Sequence, residues 1–196
     1  VTSQLKTLCH TSNLYYTEPC TSLAELLSEK TGCKKVFFSN SGAEANECAI
    51  KTARKYAADK KGKDYYNIIT LKNSFHGRTV TTLSATGQEA LHKDFLPLTE
   101  GFIYVEADAE ELKEAVLKNK VAAIMFECIR GEGGVLPLTK QFVDEAVKIA
   151  EENDILLICD EVQTGNGRTG ELYAYMNYGF TPDIVTTAKG LCGGLP

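Results

Sequence analysis

The sequence predicts an α/β protein, a mostly parallel sheet with helices on both faces. Short apolar runs alternate along the chain with longer stretches of helical periodicity, the order that builds a parallel sheet. The apolar runs are also continuous, as in Val121-Ala122-Ala123-Ile124-Met125-Phe126 and Ile155-Leu156-Leu157-Ile158-Cys159. Strands covered on both sides read this way, whereas half-exposed strands alternate. Finally, Asp160 directly follows the second run. Open α/β sheets bind their ligands at the carboxyl ends of such strands.

The elements follow in order. The first 20 or so residues, with Asn13, Tyr15, Tyr16 and Pro19, read as an irregular lead-in, and residues 21–196 as one domain. A helix is expected over Leu23–Glu29 and a strand at Val36-Phe37-Phe38. Gly42 to Lys60 reads as a helix, because Ala45, Ala49, Ala53 and Ala57 fall on one face at i, i+4 spacing. Lys60-Lys61-Gly62-Lys63-Asp64 is a turn, and Asn67-Ile68-Ile69-Thr70-Leu71 a strand. Glu110 to Leu117 is helical, Val121 to Phe126 a strand, Phe142 to Glu152 an amphipathic helix and Ile155 to Cys159 a strand. Ile184-Val185 completes the strands, within a run from Asp183 to Thr187.

Composition excludes several classes. The 21 basic and 26 acidic side chains give a net charge of −5 and are dispersed, which argues against nucleic-acid or membrane-surface binding. No apolar run approaches the roughly 20 residues of a membrane-spanning helix. Seven cysteines, an odd number without a Cys-x-x-Cys pair, fit free thiols in a reducing cytoplasm, and neither cysteines nor histidines cluster at zinc-ligand spacing.

Asp160 and Lys189 carry the chemistry. The lysine follows the Asp183–Thr187 run among small residues, in Thr186-Thr187-Ala188-Lys189-Gly190, and can reach the crevice that Asp160 faces. An acid and an amine around a flat heteroaromatic ring is what pyridoxal phosphate needs: the lysine forms a Schiff base, and the acid keeps the pyridine nitrogen protonated. Ser41-Gly42-Ala43-Glu44 joins a strand-like run to a helix with capping-box spacing, and a helix start is an anion site. An ordinary helix start has the same pattern. Phe75 can stack on a ring, His76 can be a packed core histidine, and Arg78 can clamp a carboxylate or form a surface ion pair. The glycines around Asn166 lack the spacing of a nucleotide-binding loop.

Five motifs in order resemble the class III (ornithine and acetylornithine type) pyridoxal-phosphate aminotransferases. They are Asn40-Ser41-Gly42-Ala43-Glu44-Ala45-Asn46-Glu47, Phe75-His76-Gly77-Arg78-Thr79, Gly131-Glu132-Gly133-Gly134, Asp160-Glu161-Val162-Gln163-Thr164-Gly165-Asn166-Gly167-Arg168-Thr169-Gly170 and Thr187-Ala188-Lys189-Gly190-Leu191. Glu171-Leu172-Tyr173-Ala174-Tyr175 and Tyr178-Gly179-Phe180-Thr181-Pro182-Asp183 favour the acetylornithine branch. The resemblance implies the large domain of a fold-type I aminotransferase, present in part, with the C-terminal part and the small domain absent. It implies pyridoxal 5'-phosphate as cofactor, with Lys189 and Asp160 catalytic. Gly42 and Ala43 would hold the phosphate, Phe75 and Val162 opposite faces of the ring, and Gln163 its phenolic oxygen. Glu161 joins this cofactor-binding segment in a supporting place. Arg78 and Glu132 would meet substrate, Glu132 in partnership with an arginine outside this chain. Asn13, Tyr15 and Tyr16 would line the substrate entrance. Cys128 and Arg130 depart from the family pattern, which commonly has proline and glutamine there. No metal is implied.

The implied reaction converts N-acetylornithine and 2-oxoglutarate to N-acetylglutamate semialdehyde and glutamate, in arginine biosynthesis, in a cytoplasmic homodimer with shared sites. Ornithine, 4-aminobutyrate and succinylornithine are alternative donors. An inactive piece serving only in oligomerisation is the alternative of another class.

Overall fold

In a computed structural model, residues 1–195 are described. They fall into two compact units, Val1–Ser39 and the residues from Asn40 onward. The first holds α1 (Thr2–Leu5) and α2 (Glu18–Thr31). Pro19 stands in the first turn of α2, where its missing N–H costs nothing. This helix therefore begins within the expected lead-in and runs through residue 20. Val36-Phe37-Phe38 forms no strand, and Phe37 is 64% exposed. Its three apolar residues have no ladder partner, and an apolar run without one does not make a strand.

The second unit carries the sheet. Its elements are α3 (Gly42–Lys60), β1 (Asn67–Leu71), α4 (Val80–Ala85), α5 (Glu89–His92), β2 (Phe102–Val105), α6 (Ala109–Lys118) and β3 (Val121–Phe126). There follow β4 (Ile129–Arg130), β5 (Leu136–Pro137), α7 (Lys140–Glu152), β6 (Leu156–Asp160), α8 (Ala174–Tyr178), β7 (Ile184–Thr186) and a 3-10 turn, Lys189–Cys192. The expected helix from Gly42 and the strands at Asn67 and Val121 have these bounds. The short β2, α4, α5, α8 and the β4–β5 hairpin carry too few periodic residues to be read beforehand.

Five strands pair in parallel in the order β2-β1-β3-β6-β7. The order reverses between β1 and β3, and loops leaving a parallel sheet on either side of such a point open a crevice. Side-chain parity divides the core. Ile68, Ala123, Met125 and Ile158 pack on Ala49, Ile50 and Ala53 of α3. Their neighbours Ile69, Ile124, Phe126, Leu157 and Cys159 face the other way, onto Leu112 and Val116 of α6 and Phe142, Val143 and Ala146 of α7. Helices thus cover both faces, and each β3 residue is buried. Among the described residues no helix is long and apolar enough to cross a membrane.

Candidate active site

Four strand ends and one helix start meet at a cleft partly open to solvent. Gly42 and Ala43 come from the start of α3, and Phe75 and His76 follow β1. Glu127 follows β3, Asp160 and Val162 come from the end of β6, and Lys189 follows β7.

Asp160 shares the parity of Ile158, so its side chain points to the α3 side of the sheet. There Oδ2 accepts hydrogen bonds from Asn46 Nδ2 and His76 Nδ1, both at 2.8 Å. Oδ1 accepts from the Val162 N–H at 3.0 Å. The carboxyl is only 3% exposed. A carboxylate desolvated to this extent requires such donors, because an unpaired buried charge is strongly disfavoured. Asn46 Nδ2 also donates to the His76 carbonyl at 2.7 Å, tying the histidine to α3. His76 Nε2 is buried beside the cleft without a hydrogen-bond partner.

Ser41 caps α3, its side chain accepting from the Glu44 N–H, while Glu44 Oε2 accepts from the Asn40 N–H at 2.6 Å. Ser41 thus caps the helix while Glu44 secures the residue before the cap, and the Gly42 and Ala43 N–H groups at the helix start have no intrahelical acceptors. A Cβ on Gly42 would lie 2.5 Å from Val162 Cγ1, so only glycine lets Val162 lie over the helix start.

Lys189 is exposed and opens the 3-10 turn with φ 41°, a left-handed conformation that disfavours side chains with a Cβ. Its Nζ donates to Gln163 Oε1 at 2.5 Å. The Gln163 amide lies over Gly131, where an added Cβ would fall 2.2 Å from Nε2. Glu132, exposed in the turn between β4 and β5, also lines the cleft.

Two expected site residues stand apart. Glu161 follows Asp160 on the chain, so its side chain is thrown to the opposite side of the sheet end. It is fully buried, accepts from Thr164 Oγ1 and from the Tyr175 N–H at 2.8 Å, and does not line the cleft. Burial pushes its carboxyl up, against the pull of these donors. Arg78 is exposed, and its guanidinium lies over the Phe75 ring, 5.5 Å from the centroid, rather than in the cleft lining. Of the entrance residues, Asn13 donates to the Phe38 carbonyl within the N-terminal unit at 2.9 Å, and Tyr15 and Tyr16 are exposed.

Sequence reasoning assigned nothing to Glu127 and no role to Asn46. Glu127 carried the same signal as Asp160, an acid directly after a buried apolar strand. Burial pushes its carboxyl up to about 7; Asp160 acts in the same sense, while His76 and the N–H groups of Phe75 and Gly131 oppose it. The fold also brings two cysteines together that spacing kept apart: Cys128 Sγ lies 3.7 Å from Cys159 Sγ, both buried.

The Aminotransferase class-III family model matches residues 1–196. The chain is 57% identical to acetylornithine aminotransferase of Caldanaerobacter subterraneus, covering all of this chain and 50% of that protein. It is 49% identical to succinylornithine transaminase of Salmonella paratyphi B, over 95% of this chain and 46% of the relative. The crystal structure of ornithine aminotransferase from Toxoplasma gondii superposes with a TM-score of 0.94 at 34% identity, over all of this chain and 47% of that one. The chain thus spans about half the length of the curated relatives it matches.

Proposed function

This chain belongs to the class-III aminotransferases, and we propose that the protein carrying it transfers an amino group between a small amine and a 2-oxo acid with pyridoxal 5'-phosphate as cofactor. The observation that carries this reading is the meeting of a buried carboxylate, an exposed lysine amine and a helix start in one cleft.

The residues present fit that cofactor. The unpaired N–H groups at Gly42 and Ala43, at the positive end of the α3 dipole, suit a phosphate. Phe75 and Val162 offer apolar surface for the two faces of a ring. Asp160, held by Asn46 and His76, suits a protonated ring nitrogen. Gln163 has an amide to spare for a phenolic oxygen. When bound, pyridoxal phosphate supplies an aldehyde that condenses with amines and a ring that accepts electrons.

The protein's own groups do the rest. Asp160 keeps the proton on the ring nitrogen, and its fixed hydrogen bonds make that charge available without reorganisation. Lys189 Nζ acts as the base that takes the proton from the donor's amine-bearing carbon. Gln163 Oε1 holds Nζ at the cleft while no cofactor is bound. Arg78 would meet a substrate carboxylate, and Glu132, which lines the cleft, would pair with an arginine outside this chain. Glu161 acts through packing, by fixing the segment that follows Asp160.

The donor in this reading is N-acetylornithine, reacting at its terminal amine, and the acceptor is 2-oxoglutarate. The products are N-acetylglutamate semialdehyde and glutamate, a step of cytoplasmic arginine biosynthesis, catalysed by a homodimer with shared sites. Identities of 57%, 53% and 49% to acetylornithine aminotransferases support the donor. The 49% identity to a succinylornithine transaminase favours N-succinylornithine as the second reading. Comparing kcat/KM for the two donors separates them. For the cofactor, the protein is mixed with pyridoxal phosphate, reduced with borohydride and mapped by peptide mass spectrometry. A single pyridoxyl group on Lys189 is expected. Label scattered over many lysines, or none, would overturn the reading.

A further inference from the structure

We infer that Glu127 is a positioning residue, whose carboxylate fastens both the Phe75 plate and the glycine turn carrying Glu132 to the end of β3; this rests on the function proposed above. Glu127 is 4% exposed and lines the cleft. Its Oε2 accepts the Phe75 N–H at 2.9 Å, and the N–H of Gly131 favours the same charged carboxylate. The two donors belong to different segments, one following β1 and the other joining β4 to β5. Neither Phe75 nor Gly131 lies within a strand or helix itself, although the β4–β5 pairing closes the turn that Gly131 opens. One carboxylate thus draws on both, the Phe75 N–H through a charge-assisted bond about twice as strong as a neutral one.

This grip opposes folding. His76 after β1, Asp160 at the end of β6, Glu132 in the turn and Lys189 at the 3-10 turn share the cleft with Glu127. Burial and the Asp160 charge work against its ionisation, pushing the carboxyl up to about 7. A folded value above the unfolded one means a stabilising contribution that is complete below the usual carboxylate range and is lost as pH rises through about 7. A group kept purely for packing has no use for a charge held on these terms, and neutral glutamine would fill the same space.

The test uses wild-type protein and Glu127→Gln, each assayed at about pH 8.5 and about pH 5.5. Affinity for pyridoxal phosphate is titrated by absorbance, and the cofactor-free proteins are melted. At the higher pH the variant is expected to bind roughly tenfold more weakly, as when a buried donor loses its acceptor, yet to melt higher than wild type. At the lower pH, where wild-type Glu127 is itself protonated, both differences should shrink towards none. An affinity ratio near one, or equal at both pH values, overturns the inference. Borohydride labelling of Lys189 is run alongside. Label on Lys189 with an unchanged ratio defeats only the role of Glu127, whereas no label in wild type defeats the proposed function and this inference together.

Discussion

The acid wall and the lysine wall of the cleft are built in opposite ways. Asp160 is 3% exposed, with partners from α3, from the segment after β1 and from its own strand end. Lys189 is exposed, sits at a positive φ and has one side-chain partner, Gln163. A group that must hold one charge state throughout a reaction gains from a closed set of donors. Under the proposed function, a group that is attached, displaced and used as a base gains from open space and a partner that releases it. The contrast predicts that damage to the lysine wall is chemical, while damage to the acid wall is both chemical and structural.

The largest effect expected is from Lys189→Ala. Turnover should fall by at least about a thousandfold, in the range of losing a general base, with the melting temperature unchanged within error because the side chain is exposed. Near-normal transamination in steady-state assays would dissolve the contrast. Asp160→Asn comes next. Its amide would face the donors Asn46 Nδ2 and Val162 N–H, so turnover should drop about a hundredfold and stability by ~1–3 kcal/mol, read from denaturant melts. Full stability in this variant would mean that the acid wall is less closed than its hydrogen bonds indicate.

Gly42→Ala tests the helix start. The new Cβ meets Val162, so cofactor affinity should weaken roughly tenfold, and adding Val162→Ala should restore most of it, a coupling typical of touching residues. Two losses that simply add would show that Val162 does not lie over Gly42. Arg78→Ala is the smallest. Stability should change by less than about 0.5 kcal/mol, as for exposed residues. KM for the donor or the oxo acid should rise several-fold at constant kcat if the guanidinium swings from Phe75 to a carboxylate; an unchanged KM would leave it only as a cover for the ring.

Much of this was legible in the residues. Continuous apolar runs mark β3 and β6 because strands buried on both faces have no polar side to show. Asp160 was legible from its place after such a run, and so was Glu127, which went unread because no motif drew attention to it. Glu161 and Arg78 were harder. Motif membership says that a residue is near a site, whereas strand parity decides which way it faces, and Glu161 is one residue out of phase with Asp160. Val36–Phe38 shows the converse: apolar content without a pairing partner does not make a strand.

The hydrogen bonds on Asp160 span long stretches of chain, 84 residues to His76 and 114 to Asn46. No short segment can therefore assemble the acid wall, and contacts of such separation form slowly because loop closure must precede them. During refolding, helices α3, α6 and α7 can form before β1, β3 and β6 have docked side by side, but the donors around Asp160 converge only afterwards. The cleft is in this sense a late product of the chain's self-assembly. Cofactor affinity should recover after helical circular dichroism, which makes the ligand a clock for completion of the sheet.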